Sequence, residues 1–211
     1  MTRTLAFVLA AAPLGALAVL PAAPVAAQSN AGTLAQVQTH LKAVDTMTAS
    51  FSQTDRKGQT LTGRLTLKKP GRIRFAYDNK VPLLIVADRG ALNMIDYEVR
   101  QVQRWPVKNS PLSVLLDPDK DMARYGRVVL SSDPNVVSVE VKDPKRPEYG
   151  VINMVFVRQA SAPGGLSLSG WVALDSQNNR TSIRLANQRF NVPVADSVFK
   201  WTDPRGGSRR R

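Results

Sequence analysis

The 211-residue chain has no cysteine and a single histidine, His40. Without thiols there is no disulfide framework, no thiolate metal site and no cysteine nucleophile. A lipid anchor of the bacterial lipoprotein kind, which requires a cysteine to acylate, is excluded as well. One histidine leaves almost no material for a serine triad, a cysteine–histidine pair or a zinc cluster. G-x-G-x-x-G, the phosphate-binding P-loop and G-x-S-x-G are missing too. Paired carboxylates remain as a catalytic arrangement the composition allows. Yet Asp78, Asp88, Asp96, Asp117 and Asp175 mostly stand at turn signals, where aspartate serves the backbone. The sequence points away from an enzyme and calls for no metal and no cofactor.

Acidic residues are also few: 16 Asp and Glu against 29 Lys and Arg leave a net charge of +13. Such a balance usually signals nucleic acid or an anionic membrane. Here the basic residues are spread along most of the chain, except for Arg205, Arg209, Arg210 and Arg211 at its end. Residues 205–211 read as a solvated basic tail, with weak adhesion to anionic head groups as the functional alternative.

Long apolar runs are confined to the N-terminus. Arg3 precedes an apolar stretch, Leu5 to Leu20, broken by Pro13 and Gly15, and Val25-Ala26-Ala27 offers small residues before Gln28. This is the pattern of a cleaved export signal, expected over residues 1–27. A membrane anchor would need about 20 continuous apolar residues. Export argues against nucleic acid as a partner and predicts a mature domain over residues 28–204.

Leu34, Val37, Leu41 and Val44 recur at helical spacing, predicting an amphipathic helix of three to four turns capped by Ser29 or Thr33. His40 lies on it without a second ligand or a base partner, which favours a structural role. From Thr48 the period changes to two. Leu61, Gly63, Leu65 and Leu67 alternate with Thr62, Arg64, Thr66 and Lys68, and Ile73, Phe75 and Tyr77 with Arg72, Arg74 and Ala76. Turn signals at Lys69-Pro70-Gly71, Asp78-Asn79-Lys80 and Asp88-Arg89-Gly90 separate short strands. After short helical or irregular pieces over 111–125, strands are expected at Arg127–Leu130, Val136–Val141, Val151–Val157, Leu166–Asp175 and Thr181–Leu185. Ten or eleven strands and a helix predict a mainly β fold: one strongly curved antiparallel sheet or incomplete barrel, with helices over its concave face. Pattern alone leaves open whether those helices fill the concavity or leave a pocket.

The chain resembles the LolA family, the periplasmic carriers of outer-membrane lipoproteins. The resemblance rests on Phe51-Ser52-Gln53, then Gly63, Leu65 and Leu67, then Lys69-Pro70-Gly71, Arg74-Phe75 and Tyr77. Ile85-Val86 with Asp88 and Gly90, Asp96, Pro111-Leu112 and Leu115-Leu116 continue it. Asp175, Thr181 to Leu185, Phe199 and Asp203-Pro204-Arg205-Gly206 complete it. It implies an unclosed half-barrel of about eleven strands whose mouth is covered by helices, with an apolar cavity for acyl chains. It also implies a cargo of acylated lipoproteins, taken from an inner-membrane lipoprotein-releasing ABC transporter. Delivery is then to an outer-membrane acceptor or the outer membrane itself, the carrier acting as a monomer. A carrier or sensor of another envelope lipid, such as a glycolipid or hopanoid, is the alternative, and a hydrolase using two aspartates within the cavity is a third.

On this reading the acyl-binding residues are Leu61, Leu65, Leu67, Phe75, Tyr77, Leu84, Val86, Leu92 and Trp171 on the sheet. Leu112, Leu115 and Leu116 form an apolar lid in the segment that begins at Pro111. A one-residue register error would turn a whole strand of this set to the other face. Where the family commonly has a lid-latching arginine, this chain has Lys69, a point charge without the planar fork. A solvated strand-end charge is the competing reading of Lys69.

Overall fold

The computed structural model describes residues 25–206, apart from 79, 80, 110, 111, 118 and 176. Strand alternation is the main determinant. β1 (Thr46–Thr54), β2 (Thr60–Lys68), β3 (Arg72–Tyr77), β4 (Leu83–Asp88), β5 (Ala91–Asp96) and β6 (Gln101–Pro106) form the first meander. The short helices α2 (Ser113–Leu116) and α3 (Met122–Tyr125) follow. A second meander comprises β7 (Gly126–Val129), β8 (Val136–Lys142), β9 (Val151–Arg158), β10 (Leu166–Leu174) and β11 (Arg180–Phe190).

All eleven strands belong to one antiparallel sheet, ordered β6-β5-β4-β3-β2-β1-β11-β10-β9-β8-β7. The first and last strands meet at its centre, where Phe51 pairs with Leu185 and Gln53 with Ile183. β6 and β7 are the two edges, so the sheet stays open. Three features depart from the sequence expectation. β11 runs to Phe190, five residues beyond Leu185, and the β1–β11 ladder carries a bulge between Thr48 and Ser50. α1 (Val25–Ala43) is 19 residues long and runs through both Ser29 and Thr33, the expected caps. Residues 1–24 of the expected export signal lie outside the described residues, as do Asn79, Lys80, Pro111 and tail residues 207–211.

The inner face of the sheet packs against α1 and the short helices. Val37 and Leu41 of α1 meet Met47, Ala49 and Phe51 of β1, Leu65 and Leu67 of β2, and Ile152, Met154 and Phe156 of β9 in one buried cluster. Gly63 is required there. A Cβ at this position would lie 2.2 Å from the Ala76 carbonyl and 2.8 Å from the Phe51 ring, so only glycine lets the ring lie across β2. Gly164, at φ 66°, plays the same part for α1, whose His40 backbone stands 2.8 Å from the position of its missing Cβ.

A second, smaller cluster sits on the outer face. Leu84 and Val86 of β4 and Ile95 of β5 are covered by Phe199, with Val194 and Trp201 beside it. The C-terminal segment is thus a strap over β3–β5. It is fastened by Lys68 and Arg72 to Asp196, at 2.6 and 2.7 Å, and by the Arg74 guanidinium donating to the Val198 and Lys200 carbonyls.

Candidate apolar cavity

Cross-strand register defines the site. Phe75 of β3 pairs with Ile85 of β4, which pairs with Met94 of β5, while Leu92 of β5 pairs with Trp105 of β6. On the other half of the sheet Trp171 pairs with Ile183, and Ala173 with Thr181 and Ile152. Side chains from both halves, β3–β6 on one side and β9–β11 on the other, line a single cavity of about 280 Å³, so the sheet curls around it. Gln53 and Thr181 contribute polar atoms; otherwise the wall is apolar.

Aromatic rings brace one side. Phe51 stands edge-on to Phe75 at 5.4 Å and to Tyr77 at 5.2 Å, and Phe75 edge-on to Trp171 at 6.2 Å, arrangements that the ring quadrupoles favour. The Tyr77 hydroxyl donates to Gln53 Oε1 at 2.6 Å. Burial pushes the phenol up to about 12, against the opposing effect of that bond, so it stays neutral and keeps its proton.

Leu112 roofs the cavity, and all four residues of α2 are buried behind it. The lid is tied to the sheet by the Gly71 N–H, which donates to the Leu116 carbonyl at 3.0 Å. Lys120 Nζ donates to Ser113 Oγ at 2.7 Å and sits 5.1 Å over the Tyr125 ring; burial lowers its pKa.

Of the residues expected from the sequence, Phe75, Leu92, Leu112 and Trp171 line the cavity. Leu61, Leu65, Leu67, Tyr77, Leu115 and Leu116 belong to the same inner core but stand back from the open space. Leu84 and Val86 are a correction: they face outward, under Phe199. β4 is a continuous apolar run, in which period two gives no parity, and the strap that buries its outer side was not foreseen. Ile85, Trp105, Ile152, Ala173, Thr181, Ile183 and Gln53 were missed. Ile85 follows from Phe75 once the β3–β4 register is known, whereas the β9–β11 residues required the β1–β11 pairing.

The structure overturns the solvated reading of Lys69. Its Nζ is buried with no hydrogen-bond partner among the described residues, and desolvation lowers its pKa to about 8, offset in part by Asp45. Its positive charge in turn disfavours the charged form of His40, whose pKa is lowered mainly by burial. His40 is packed edge-on between Phe156 and Phe190 and makes a 2.7 Å bond through Nδ1 to the Pro163 carbonyl, the geometry of a structural residue.

The five turn aspartates do not converge. Asp96, Asp117 and Asp175 accept from backbone amides of their own turns, Asp78 accepts from Thr62, and Asp88 pairs with Arg72. None lines the cavity, and no cluster of three or more potential metal ligands occurs among the described residues. The hydrolase alternative required two aspartates facing each other there.

The molecule is an open antiparallel half-barrel with an apolar cavity beneath a short helical segment. Residues 42–202 match the family described as outer membrane lipoprotein carrier protein LolA. The chain belongs to the LolA family. It is similar to the outer-membrane lipoprotein carrier protein of Chromobacterium violaceum, at 26% identity over 193 residues covering 88% of this chain and 90% of that one. Its similarity to the carrier protein of the same name from Xanthomonas axonopodis pv. citri is also 26%, over 201 residues, 90% of this chain and 93% of the relative. Among solved structures, an uncharacterized conserved protein from Thermus thermophilus superposes with a TM-score of 0.49 at 9% identity, covering 82% of this chain and 93% of its own.

Proposed function

We propose that the protein is a periplasmic carrier, exported by removal of residues 1–27, that holds lipoprotein acyl chains in the cavity and moves them from the inner to the outer membrane. An inner-membrane lipoprotein-releasing transporter loads it, and an outer-membrane acceptor or the membrane itself takes the cargo. The observation that carries this reading is the apolar cavity at the centre of the curled sheet, in a chain of the LolA family. Each methylene moved out of water contributes about 0.8 kcal/mol, so one long chain gains on the order of 10 kcal/mol gross. The cavity, at about 280 Å³ and partly open, lies just below the ~300–1,000 Å³ range of small-molecule sites. On this proposal a full acyl chain, larger than that space, displaces α2, so that cargo binding and lid opening are one process.

Binding of a fluorescent acyl probe to the mature protein tests this. Apolar burial predicts affinity that changes little between about 0.1 and 1 M salt, over which the Debye length falls from ~10 to ~3 Å. Binding that disappears in high salt would leave a basic surface protein in place of a carrier. Mass spectrometry of lipids co-purified from the periplasm identifies the cargo; a glycolipid or hopanoid in place of acylated peptide would overturn the lipoprotein assignment.

A further inference from the structure

The outer face of the central strands carries a feature the cavity does not use. Period two sends Gln53 and Ile183 into the cavity and their neighbours Ser52, Thr54, Ser182 and Arg184 to the other side. There they line a groove of about 690 Å³, with Arg180, Arg56 of the β1–β2 turn and Asn178 of the β10–β11 turn. The outward row of β1 is hydroxylated throughout: Thr46, Thr48, Ser50, Ser52 and Thr54. Arg180 and Arg184 are exposed and make no ion pair or hydrogen bond among the described residues, and the same holds for Arg64 on β2. The carboxylates at this end are engaged, Asp78 of the neighbouring strand end by the Thr62 hydroxyl. Asp55 accepts from the Lys57 and Gln59 amides at 2.8 and 2.9 Å, and Asp175 from those of Gln177 and Asn179 at 2.9 and 2.8 Å. Arg56 lies within electrostatic reach of the Asp175 carboxylate.

We infer that this arginine-walled groove is a docking surface for an acidic, extended polypeptide segment of a partner protein. Free guanidinium groups present a planar fork that matches carboxylates two bonds at a time, and small hydroxyls on the floor leave room for a backbone and offer it hydrogen bonds. At ~3.3 Å per residue, the stretch from Arg180 to Arg184 spans about four residues of an extended chain. An anionic membrane fits the same charge less well. The exposed large apolar side chains, Tyr97, Val99, Leu130, Val157 and Val198, lie outside the groove, so nothing in it would insert into lipid. Adhesion through this face would also turn the cavity, on the opposite side of the sheet, away from the bilayer. A partner gripping the outer face leaves α2 free to move.

The test uses the mature protein and an oligo-glutamate peptide of about eight residues, with titration followed by amide NMR. Expected are shifts at Ser52, Thr54 and Ser182, and weakening by about tenfold or more in an Arg180→Glu, Arg184→Glu double variant, as attraction becomes repulsion. An Arg104→Glu, Arg146→Glu variant makes the same change in net charge elsewhere and should bind within about twofold of the parent. Acyl-probe affinity should be unchanged in both, which shows them folded and keeps this inference separate from the cavity. Equal loss in the two variants, or shifts outside the groove, would overturn the inference. So would phosphatidylglycerol vesicles that bind through Arg180 and Arg184 while the peptide does not.

Discussion

Ala173 offers the sharpest test of the cavity, because its Cβ faces the open space and its neighbour Val172 does not line it. Ala173→Phe places a six-carbon ring inside a volume of about 280 Å³ otherwise available to an acyl chain. If the ring displaces an equal number of methylenes, about 5 kcal/mol of gross burial is lost at ~0.8 kcal/mol each. Rerouting of the chain recovers part of this, and a net loss of ~2–4 kcal/mol corresponds to roughly 30- to 1,000-fold weaker binding. Stability should hold, since the ring fills space rather than forcing neighbours apart. Val172→Phe adds the same ring one residue away on the outer face, where Val172 is half-buried opposite Ser182, and should leave affinity within about threefold. The assay is titration with a fluorescent fatty-acyl probe, with denaturant midpoints recorded for both variants. Equal affinity of Ala173→Phe and parent, both folded, would place the acyl site elsewhere; loss in Val172→Phe alone would place it on the outer face.

Leu112→Glu should weaken acyl binding by ~10-fold or more while leaving the denaturant midpoint nearly unchanged. Leu115, at 2% exposure, is instead expected to lose ~3 kcal/mol or more of stability as Leu115→Glu. Lys69→Leu removes a buried, unpaired amine. In the parent, the folded-state pKa of about 8 lies below the unfolded value near 10.5. The unfolded chain therefore binds more protons between those values, so stability rises with pH from about 8 upward; denaturant midpoints of the variant should rise less, keeping only the part due to Lys120, whose pKa burial also lowers. Tyr77, whose folded pKa lies above its unfolded one, acts oppositely only above pH 10, which confines the comparison to pH 8–10. Phe199→Ala should cost ~3 kcal/mol by uncovering Leu84, Val86 and Ile95, while acyl affinity measured on the folded protein stays the same.

The meander was legible because most strands alternate. β3 reads Arg72-Ile73-Arg74-Phe75-Ala76-Tyr77, and only one orientation buries the apolar set. β4 was not, since Leu83 to Ala87 is apolar at every position and the buried positions include both Val86 and Ala87. Its parity is decided by partners outside the strand: Phe75 inside, ten residues before Ile85, and Phe199 outside, more than 100 residues after Val86. The pairing of β1 with β11 is likewise invisible to local pattern, and with it went half the cavity wall. α1 was legible in its buried half, from Leu34 to Leu41, where the apolar period is clear, and not in its first turns, where Ser29, Asn30 and Gly32 read as a helix start and no apolar period marks the extension. The outer groove escaped notice because arginine and serine on a strand read as an ordinary wet face; only adjacency across β11 and β1 gathers them.

The two faces of the sheet bear on how the proposed carrier would release cargo without an energy source. On the outer face the strap, with its buried Phe199 and its ion pairs to Asp196, stiffens β3–β5. Over the cavity the cover is slight: the four residues of α2, hydrogen bonds from Gly71 to Leu116 and from Lys120 to Ser113, and three inserted apolar side chains, Val114, Leu115 and Leu116. Withdrawing three buried apolar side chains costs about 4–9 kcal/mol and the two hydrogen bonds about 2. Burying roughly eight to fourteen methylenes, at ~0.8 kcal/mol each, offsets that. A longer chain opens the lid with energy to spare, while a short one does not, so the lid sets a threshold on chain length. Each kilocalorie needed to open it is also returned on release, which keeps net affinity moderate and lets an acceptor of somewhat higher affinity draw the cargo onward.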